Sequence, residues 1–337
     1  MNIRDFKKGW FLGNFEPSLL KSDFEVGLRW NNMGDKEPRH YHQKTTEYVV
    51  FAGGVHMLNG VTYRDGDVTT IYPYMSTEYE CLVPGYCLTV KDVSDPKDKY
   101  KGSVLNVVIP AAGKGQRFKD AGYKTPKLLI PIKGKPMIER VIANFKPKAP
   151  HRALLITRDD IPYTTPNAEM IMLDQETEGA VSTMFEAEKF IGRDDPMLIA
   201  NCDQLILGFD VDAFMRQSAD CSVTVFESTV PHHSYVKEDT RGYVTEVAEK
   251  QVISDKAVGG VYFYRKSKYF FDNARKMIKK NIRVNGEFYN TPVFNEIIAS
   301  GLTVNTHTVP LSAQQILGTP DELKEFEHKL STGKIKL

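Results

Sequence analysis

The sequence is short of cysteine, of long apolar runs and of any charge excess. Only Cys81, Cys87, Cys202 and Cys221 occur in 337 residues, and no two form a CxxC pair. That excludes a disulfide framework, and a reduced, cytoplasmic setting is expected. No apolar stretch approaches the roughly 18 residues of a membrane-spanning helix. The first eight residues, Met1 to Lys8, lead into no apolar segment, so no secretory signal is expected. Lys and Arg number 44 against 43 Asp and Glu, a net charge of +1. A balance this even excludes a bulk polycation, and no nucleic-acid partner is expected. What remains is globular composition, 41% hydrophobic and 26% charged, in a chain long enough for one large domain or two smaller ones.

The even total conceals an uneven distribution. Residues 1–100 sum to −2, residues 101–148 to +9 and residues 149–337 to −6. A basic block inside a neutral chain points to a local anionic ligand, with a solvated basic face as the bland alternative.

Two styles of secondary structure follow one another. Residues 25–93 read as short strands (45–51, 68–72, 86–90) separated by Asn59-Gly60, Asp65-Gly66 and Pro84-Gly85 turns, the pattern of a small β sandwich or barrel. Residues 94–103 read as a polar linker. From Val104 strands and helices alternate. Strands are predicted at 104–109, 153–157, 197–200, 222–226 and 258–264. Helices are predicted at 136–145, 183–191, 211–218, 268–280, 292–299 and 321–330. This alternation predicts an α/β domain with a mostly parallel sheet. The expected division is 1–102 and 103–337.

The basic block contains Ile109-Pro110-Ala111-Ala112-Gly113-Lys114-Gly115-Gln116-Arg117-Phe118, directly after a buried strand. Small residues and two glycines let backbone N–H groups approach phosphate oxygens, and Arg117 adds a planar fork of donors. A dinucleotide fingerprint fails because Phe118 holds its third glycine position, and no Walker A sequence is present. Further on come Thr125-Pro126-Lys127 and Gly134-Lys135-Pro136-Met137.

The three blocks in this order resemble the signature of the sugar-phosphate nucleotidyltransferase superfamily. The resemblance covers about residues 104–330 and implies a Rossmann-like, GT-A-type mixed sheet. It implies that Ala111, Ala112, Gly113, Lys114, Gly115 and Arg117 wrap a nucleoside triphosphate and that Lys127 meets the reacting phosphoryl group. Gln175 and Gly179, in Asp174-Gln175-Glu176-Thr177-Glu178-Gly179-Ala180, resemble the base-reading segment, with Ala180 and Val181 departing from the usual Thr-Ala. A helix start explains the same residues. Asp203 ends the apolar stretch Leu198-Ile199-Ala200-Asn201-Cys202 and matches the family's Mg²⁺-binding aspartate, with Glu287 or Asn290 as a second ligand. Glu249-Lys250 resembles the acceptor-phosphate segment, Gly260 the strand against which the acceptor packs, and Glu287 an acceptor contact. Leu317-Gly318-Thr319-Pro320-Asp321-Glu322-Leu323 resembles a closing motif whose physical role is a helix start, Thr as cap and Pro at the first turn.

In the first half, Gly34, His40, His42, Glu47 and Gly54 fit the first motif of the cupin family, which implies an all-β barrel. The second motif is weaker, since Met75 and Glu78 stand where its glycine and histidine belong. His40, His42, Glu47 and Glu78 are then a candidate set for a divalent transition metal, with a metal-free site as the alternative.

The expected function is Mg²⁺-dependent transfer of a nucleotidyl group from an NTP to a sugar phosphate or similar phosphorylated metabolite, for sugar-nucleotide or surface-polysaccharide biosynthesis. Arg117, Lys127, Asp203 and Lys250 are the expected catalytic set. Two alternatives stand beside it: a bifunctional protein with a cupin sugar-phosphate isomerase or epimerase, and a non-catalytic sugar-nucleotide sensor. A homodimer is expected from the habit of cupins to pair through strands.

Overall fold

The structure is a computed structural model that describes residues 3–337. The chain divides into two compact units. The first comprises the residues up to Val104 with Phe190–Asp195, and the second Leu105–Lys189 with Pro196–Leu337. No described helix is long and apolar enough to cross a membrane.

Among its described residues the first unit has ten strands: β1 (Trp10–Leu12), β2 (Glu25–Asn31), β3 (Lys36–Tyr41), β4 (Glu47–Ala52), β5 (Val55–Leu58), β6 (Val61–Arg64), β7 (Val68–Ile71), β8 (Thr77–Val83), β9 (Gly85–Lys91) and β10 (Tyr100–Lys101). They form two five-stranded antiparallel sheets, ordered β1-β2-β9-β4-β7 and β10-β3-β8-β5-β6. Alternation decides which side chains turn inward. In β4, Glu47, Val49 and Phe51 are buried while Tyr48 and Ala52 are exposed. Of the expected β sandwich or cupin-like barrel, the strands form two antiparallel sheets, and among the described residues no strand pairing joins them.

Residues 94–103 are not a loose linker. β10 pairs with β3, and Asp98 is 1% exposed. Its carboxylate accepts hydrogen bonds from the N–H groups of Gln43 (2.8 Å), Lys44 (3.0 Å) and Thr45 (3.0 Å) and from the Thr45 hydroxyl (2.8 Å). The segment Phe190–Asp195 is held similarly, with the Ser76 N–H donating to Asp195 at 3.0 Å and Phe190 lying 5.1 Å from the Tyr72 ring.

The second unit continues with β11 (Leu105–Pro110), α1 (Gln116–Asp120), β12 (Pro131–Ile132), β13 (Lys135–Pro136), α2 (Met137–Asn144), β14 (His151–Arg158), β15 (Glu169–Leu173), α3 (Ala180–Glu188), β16 (Met197–Ala200), β17 (Gln204–Ile206), α4 (Val211–Met215), β18 (Cys221–Glu227), β19 (Tyr235–Glu238), β20 (Val244–Ala248), β21 (Lys256–Tyr264), α5 (Ser267–Lys279), α6 (Val293–Ala299), β22 (Val304–Thr308), β23 (Gln314–Ile316) and α7 (Pro320–Ser331). A nine-stranded sheet is ordered β15-β14-β11-β16-β21-β18-β22, with β19 and β20 attached beside β21. It is mixed: β15, β14, β11 and β16 run parallel, and β21 runs against both β16 and β18. Both faces are covered, which explains the unbroken apolar strands. Leu105, Val107, Ile109 and Leu198 pack in one core with Met137, Val141 and Phe326, while Tyr264 on β21 stacks on Phe294 and meets Phe270 edge-on.

The connection from β11 goes to β14 on one side, and the chain later returns to β16 on the other side of β11. The crevice at the carboxyl ends of β11 and β16 is therefore a topological switch point, where α/β sheets place ligands.

Replacing Asp98 by alanine removes a buried charged acceptor and orphans several N–H groups. We expect a loss of about 2–3 kcal/mol in the first unit. Both tryptophans, Trp10 and Trp30, lie in that unit, so denaturant unfolding followed by tryptophan fluorescence measures it.

Candidate active site

At the end of β11 the chain leaves the sheet through Ala111 and Ala112, both buried, and then becomes exposed at Gly113 and Lys114. The Ala111 N–H still bonds the Ile156 carbonyl at 2.7 Å. Among the described residues, no hydrogen bond takes the N–H groups of Gly113, Lys114 and Gly115. Gly115 has φ +63° and caps the short α1, and a Cβ there would lie 3.1 Å from the Lys127 Cβ. Glycine at this point serves a left-handed backbone and a close approach together. Arg117 is exposed, with no ion pair to its guanidinium among the described residues, whereas Lys114 pairs with Glu176 at 2.8 Å.

Lys127 begins a single 3₁₀ turn, and its ammonium donates to Asp203 Oδ2 at 2.5 Å. Burial works against the lysine's charge, but Asp203, with Cys202 and Glu322 adding to it, holds the pKa above the usual lysine value. Asp203 follows β16 and is fixed from behind. Its carbonyl accepts from the Leu317 N–H at 2.8 Å, and a Cβ on Gly318 would lie 3.3 Å from both Asp203 Oδ2 and Glu322 Oε2. Thr319 caps α7, its hydroxyl accepting from the Glu322 N–H, with Pro320 in the first turn. The closing motif therefore starts a helix, as its sequence predicts, and also sets Glu322 beside the Lys127–Asp203 pair. Glu322 was not among the expected site residues. The signal was present, since the third residue after a Thr cap lies back over the helix start.

The remaining expected residues stand in several settings of the second unit. Lys250, at φ +56°, donates to the Tyr289 hydroxyl at 2.6 Å and sits 4.3 Å over that ring. Glu249 accepts from the Ser234 hydroxyl, and burial raises its pKa. Gly260 has φ +78°, with Gln204 Oε1 and Asn201 Nδ2 where a side chain would stand. Gly179 holds a structural position. The chain around it is laced to the segment of Phe288, whose N–H donates to the Glu178 carbonyl at 2.9 Å and whose carbonyl accepts from the Val181 N–H at 3.1 Å. Gln175 and Glu287 are exposed. Asn290 is buried, and its Oδ1 has no hydrogen-bond partner.

In the first unit, His40 and His42 come within 5.5 Å ring to ring, and His42 Nε2 lies 3.2 Å from Glu47 Oε1. His42 Nδ1 meets the Asp98 carbonyl. Glu78 does not join them. It alternates with the buried Thr77 on β8, is exposed and pairs with Arg39 at 3.2 Å. Lys91 takes the remaining place, its ammonium 3.0 Å from Glu47 and 3.8 Å from Glu25. Among the described residues no group of three or more His, Cys, Asp and Glu is arranged to hold a metal. This corrects the four-residue metal set, because a lysine already neutralises its carboxylate.

Comparisons with known proteins bear on the second unit. Residues 107–255 match the model of the MobA-like NTP transferase domain. The bifunctional protein GlmU of Francisella philomiragia is 24% identical over 233 residues, covering 65% of this chain and 50% of that protein. GlmU of a Synechococcus strain is 28% identical over 170 residues, covering 46% and 37%. The chain thus spans about half the length, or less, of the curated relatives it matches. The crystal structure of a nucleoside-diphosphate-sugar pyrophosphorylase from Vibrio cholerae superposes with a TM-score of 0.57 at 25% identity, over 66% of this chain and 99% of that one. Apo UDP-glucose pyrophosphorylase shares the fold, with a TM-score of 0.56 at 16% identity, over 69% and 100%. These matches support the nucleotidyltransferase superfamily for the second unit.

One pH dependence follows from the first unit. Burial would raise the Glu47 pKa, but His42 and Lys91 outweigh it and hold the group at about 2, against an ordinary 4.5. A depressed carboxylate contributes stability above its unfolded pKa and loses it as pH falls through the folded one. The midpoint of thermal unfolding, read by tryptophan fluorescence, should therefore fall between about pH 4.5 and 2. Glu47→Gln should lower the plateau and flatten that fall.

Proposed function

We propose that the second unit transfers a nucleotidyl group from a nucleoside triphosphate to a sugar phosphate or similar small phosphorylated acceptor. Pyrophosphate is released, and the setting is cytoplasmic sugar-nucleotide or surface-polysaccharide biosynthesis. The observation that carries this reading is the Lys127–Asp203 pair standing against Gly115, below a row of open N–H groups at the switch point. An oxygen of the acceptor phosphate attacks the α-phosphorus, and the bond from that phosphorus to the bridging oxygen breaks. Both reactants are anions, so the site must cancel repulsion and stabilise the departing charge.

In this reading the backbone of Gly113–Gly115 and the free guanidinium of Arg117 take the triphosphate oxygens. Gln175 and the Gly179 segment face the base. Lys127 exchanges Asp203 for a phosphate oxygen, keeping a cation at the reacting centre. Lys250 turns from Tyr289 to the acceptor phosphate, beside Glu249, Gly260 and Glu287. The donor chemistry fits Mg²⁺, which takes one or two carboxylates with phosphate oxygens and water. Asp203 offers one carboxylate, Glu322 beside it has an unpartnered oxygen, and Glu287 or Asn290 would supply a further ligand. When bound, the ion supplies charge neutralisation at the phosphates. Retention of both Lys127 and Asp203 disfavours a purely sensing role. Lys127→Ala and Asp203→Asn should each lower pyrophosphate release by about 10²–10³-fold or more without unfolding the second unit. The assay is four NTPs crossed with a panel of sugar phosphates. Near wild-type turnover in either variant removes the assignment.

The first unit adds a homodimer to this reading. The outer face of its β2-β9-β4-β7 strands carries Val26, Val90, Tyr48 and Thr70 in one cross-strand row. Leu28, Leu88, Val50 and Val68 form the next row, and Trp30, Tyr86 and Ala52 the third. No charge interrupts this face, and Trp30 and Val68 are 48% and 61% exposed. An uncharged, flat face complements a second copy of itself. Light scattering after size exclusion should give a dimer, and Trp30→Glu should give a folded monomer.

A further inference from the structure

The first unit holds a cavity of about 400 Å³, open on one side, between its two sheets. That volume is in the range of small-molecule sites, and its walls are charged where its floor is apolar. The charges on the walls are mostly spent on one another. Lys91 lies between Glu47 and Glu25, Lys99 pairs with Glu37, and Glu16 pairs with Lys21 from outside the wall.

Lys7 and Lys8 also stay outside these pairs but are exposed, which leaves Arg29, whose charge is felt by Glu37 without an ion pair between them. It lines the same cavity from β2 and makes no side-chain hydrogen bond or ion pair among the described residues. A half-buried guanidinium in such a wall is a fork of donors awaiting a carboxylate or phosphate. Two residues further along the same face, Asn31 is 1% exposed and also lines the cavity, yet its Oδ1 has no hydrogen-bond partner. A buried acceptor left open costs free energy unless a donor reaches it. His40 contributes another acceptor. Its Nδ1 lies 3.0 Å from the Pro38 carbonyl, which requires the proton on Nδ1 and leaves a lone pair on Nε2. One anion fork and two acceptors describe a ligand with one acidic group and several hydroxyls.

We infer that this cavity is a metal-free binding site for a small hydroxylated anion, of the phosphorylated or carboxylated polyol class, with Arg29 as its anchor. Of the residues that the cupin motif would give to a metal, Glu47 has Lys91 in the cation position beside it, His42 Nδ1 meets the Asp98 carbonyl, and Glu78 is exposed and paired with Arg39, which leaves His40 Nε2. The ammonium supplies, beside Glu47, the positive charge that a divalent ion would otherwise bring. Exposed Lys7 and Lys8, among the residues lining the cavity, add attraction for an anion.

The test uses the full chain carrying Lys127→Ala and Lys250→Ala, in EDTA, so that neither the nucleotide and acceptor positions of the second unit nor a metal contributes. Calorimetry with a hexose 1-phosphate, glucuronate and inorganic phosphate should show one site for the hexose 1-phosphate or for glucuronate, the stronger of the two naming the acidic group. Arg29→Met should weaken that binding by about tenfold or more. Arg29→Lys should weaken it less, and both variants should keep the wild-type fluorescence unfolding transition. The proposal is overturned if neither hydroxylated anion binds, if Arg29→Met binds equally well, or if inorganic phosphate binds as tightly as its ester. A stoichiometric transition metal in the purified protein, lost on His40→Ala, also overturns it. None of these outcomes depends on whether the second unit transfers nucleotides.

Discussion

The site of the second unit depends on one ion pair. Lys127 and Asp203 lie 76 positions apart and belong to different connections, one after the glycine loop and one after β16. Each would be costly alone, because the surroundings are partly desolvated. Paired, each charge is held in place for a different partner, the lysine for an anion and the aspartate for a cation. In the proposed reaction, entry of a triphosphate with its counter-ion would exchange these partners without creating a naked charge. This is why the backbone around the pair is so constrained. Gly115 must be small for the loop to lie against Lys127, and Gly318 must be small for α7 to close behind Asp203.

The first unit repeats this arrangement with another outcome. There Lys91 is wedged between Glu25 and Glu47, deep in the fold. The cupin-like spacing of His40, His42 and Glu47 did foretell that these three come together. It did not foretell Lys91, which arrives from a strand 44 residues beyond Glu47 along the chain and joins it only through the β4–β9 pairing. Nor did spacing place Glu78. Strand parity turned it outward once Thr77 pointed in, and parity cannot be counted reliably across the irregular register between Glu37 and His40.

The central strands of the second unit were legible because both of their faces are covered. Leu105–Pro110 and Met197–Ala200 read as continuous apolar runs, and the helices that cover them show one apolar stripe each. The strands left unread are peripheral. β15, β19, β20 and β22 are short or mixed in polarity, with hydrogen-bonded neighbours that no local pattern specifies. The same limit hid the segment Phe190–Asp195. It looks like the tail of a helix, and its place is fixed by a hydrogen bond from Ser76, far away in sequence.

The +9 block now has a structural meaning. It contains the glycine loop, Arg117 and Lys127, yet only Lys127 is neutralised by the aspartate at the centre of the site. Arg117 and the loop N–H groups remain unpaired, so the loop attracts anions before it binds one. In the first unit the net charge of residues 1–100 is −2, and the cavity is nonetheless left with an uncommitted guanidinium. The sign of a site is therefore set by which charges remain unpaired at the wall. The local sum says little, because ion pairs such as Lys99–Glu37 contribute to it without contributing to recognition. A sequence can supply the sum, but only the paired geometry shows which charges are free to act.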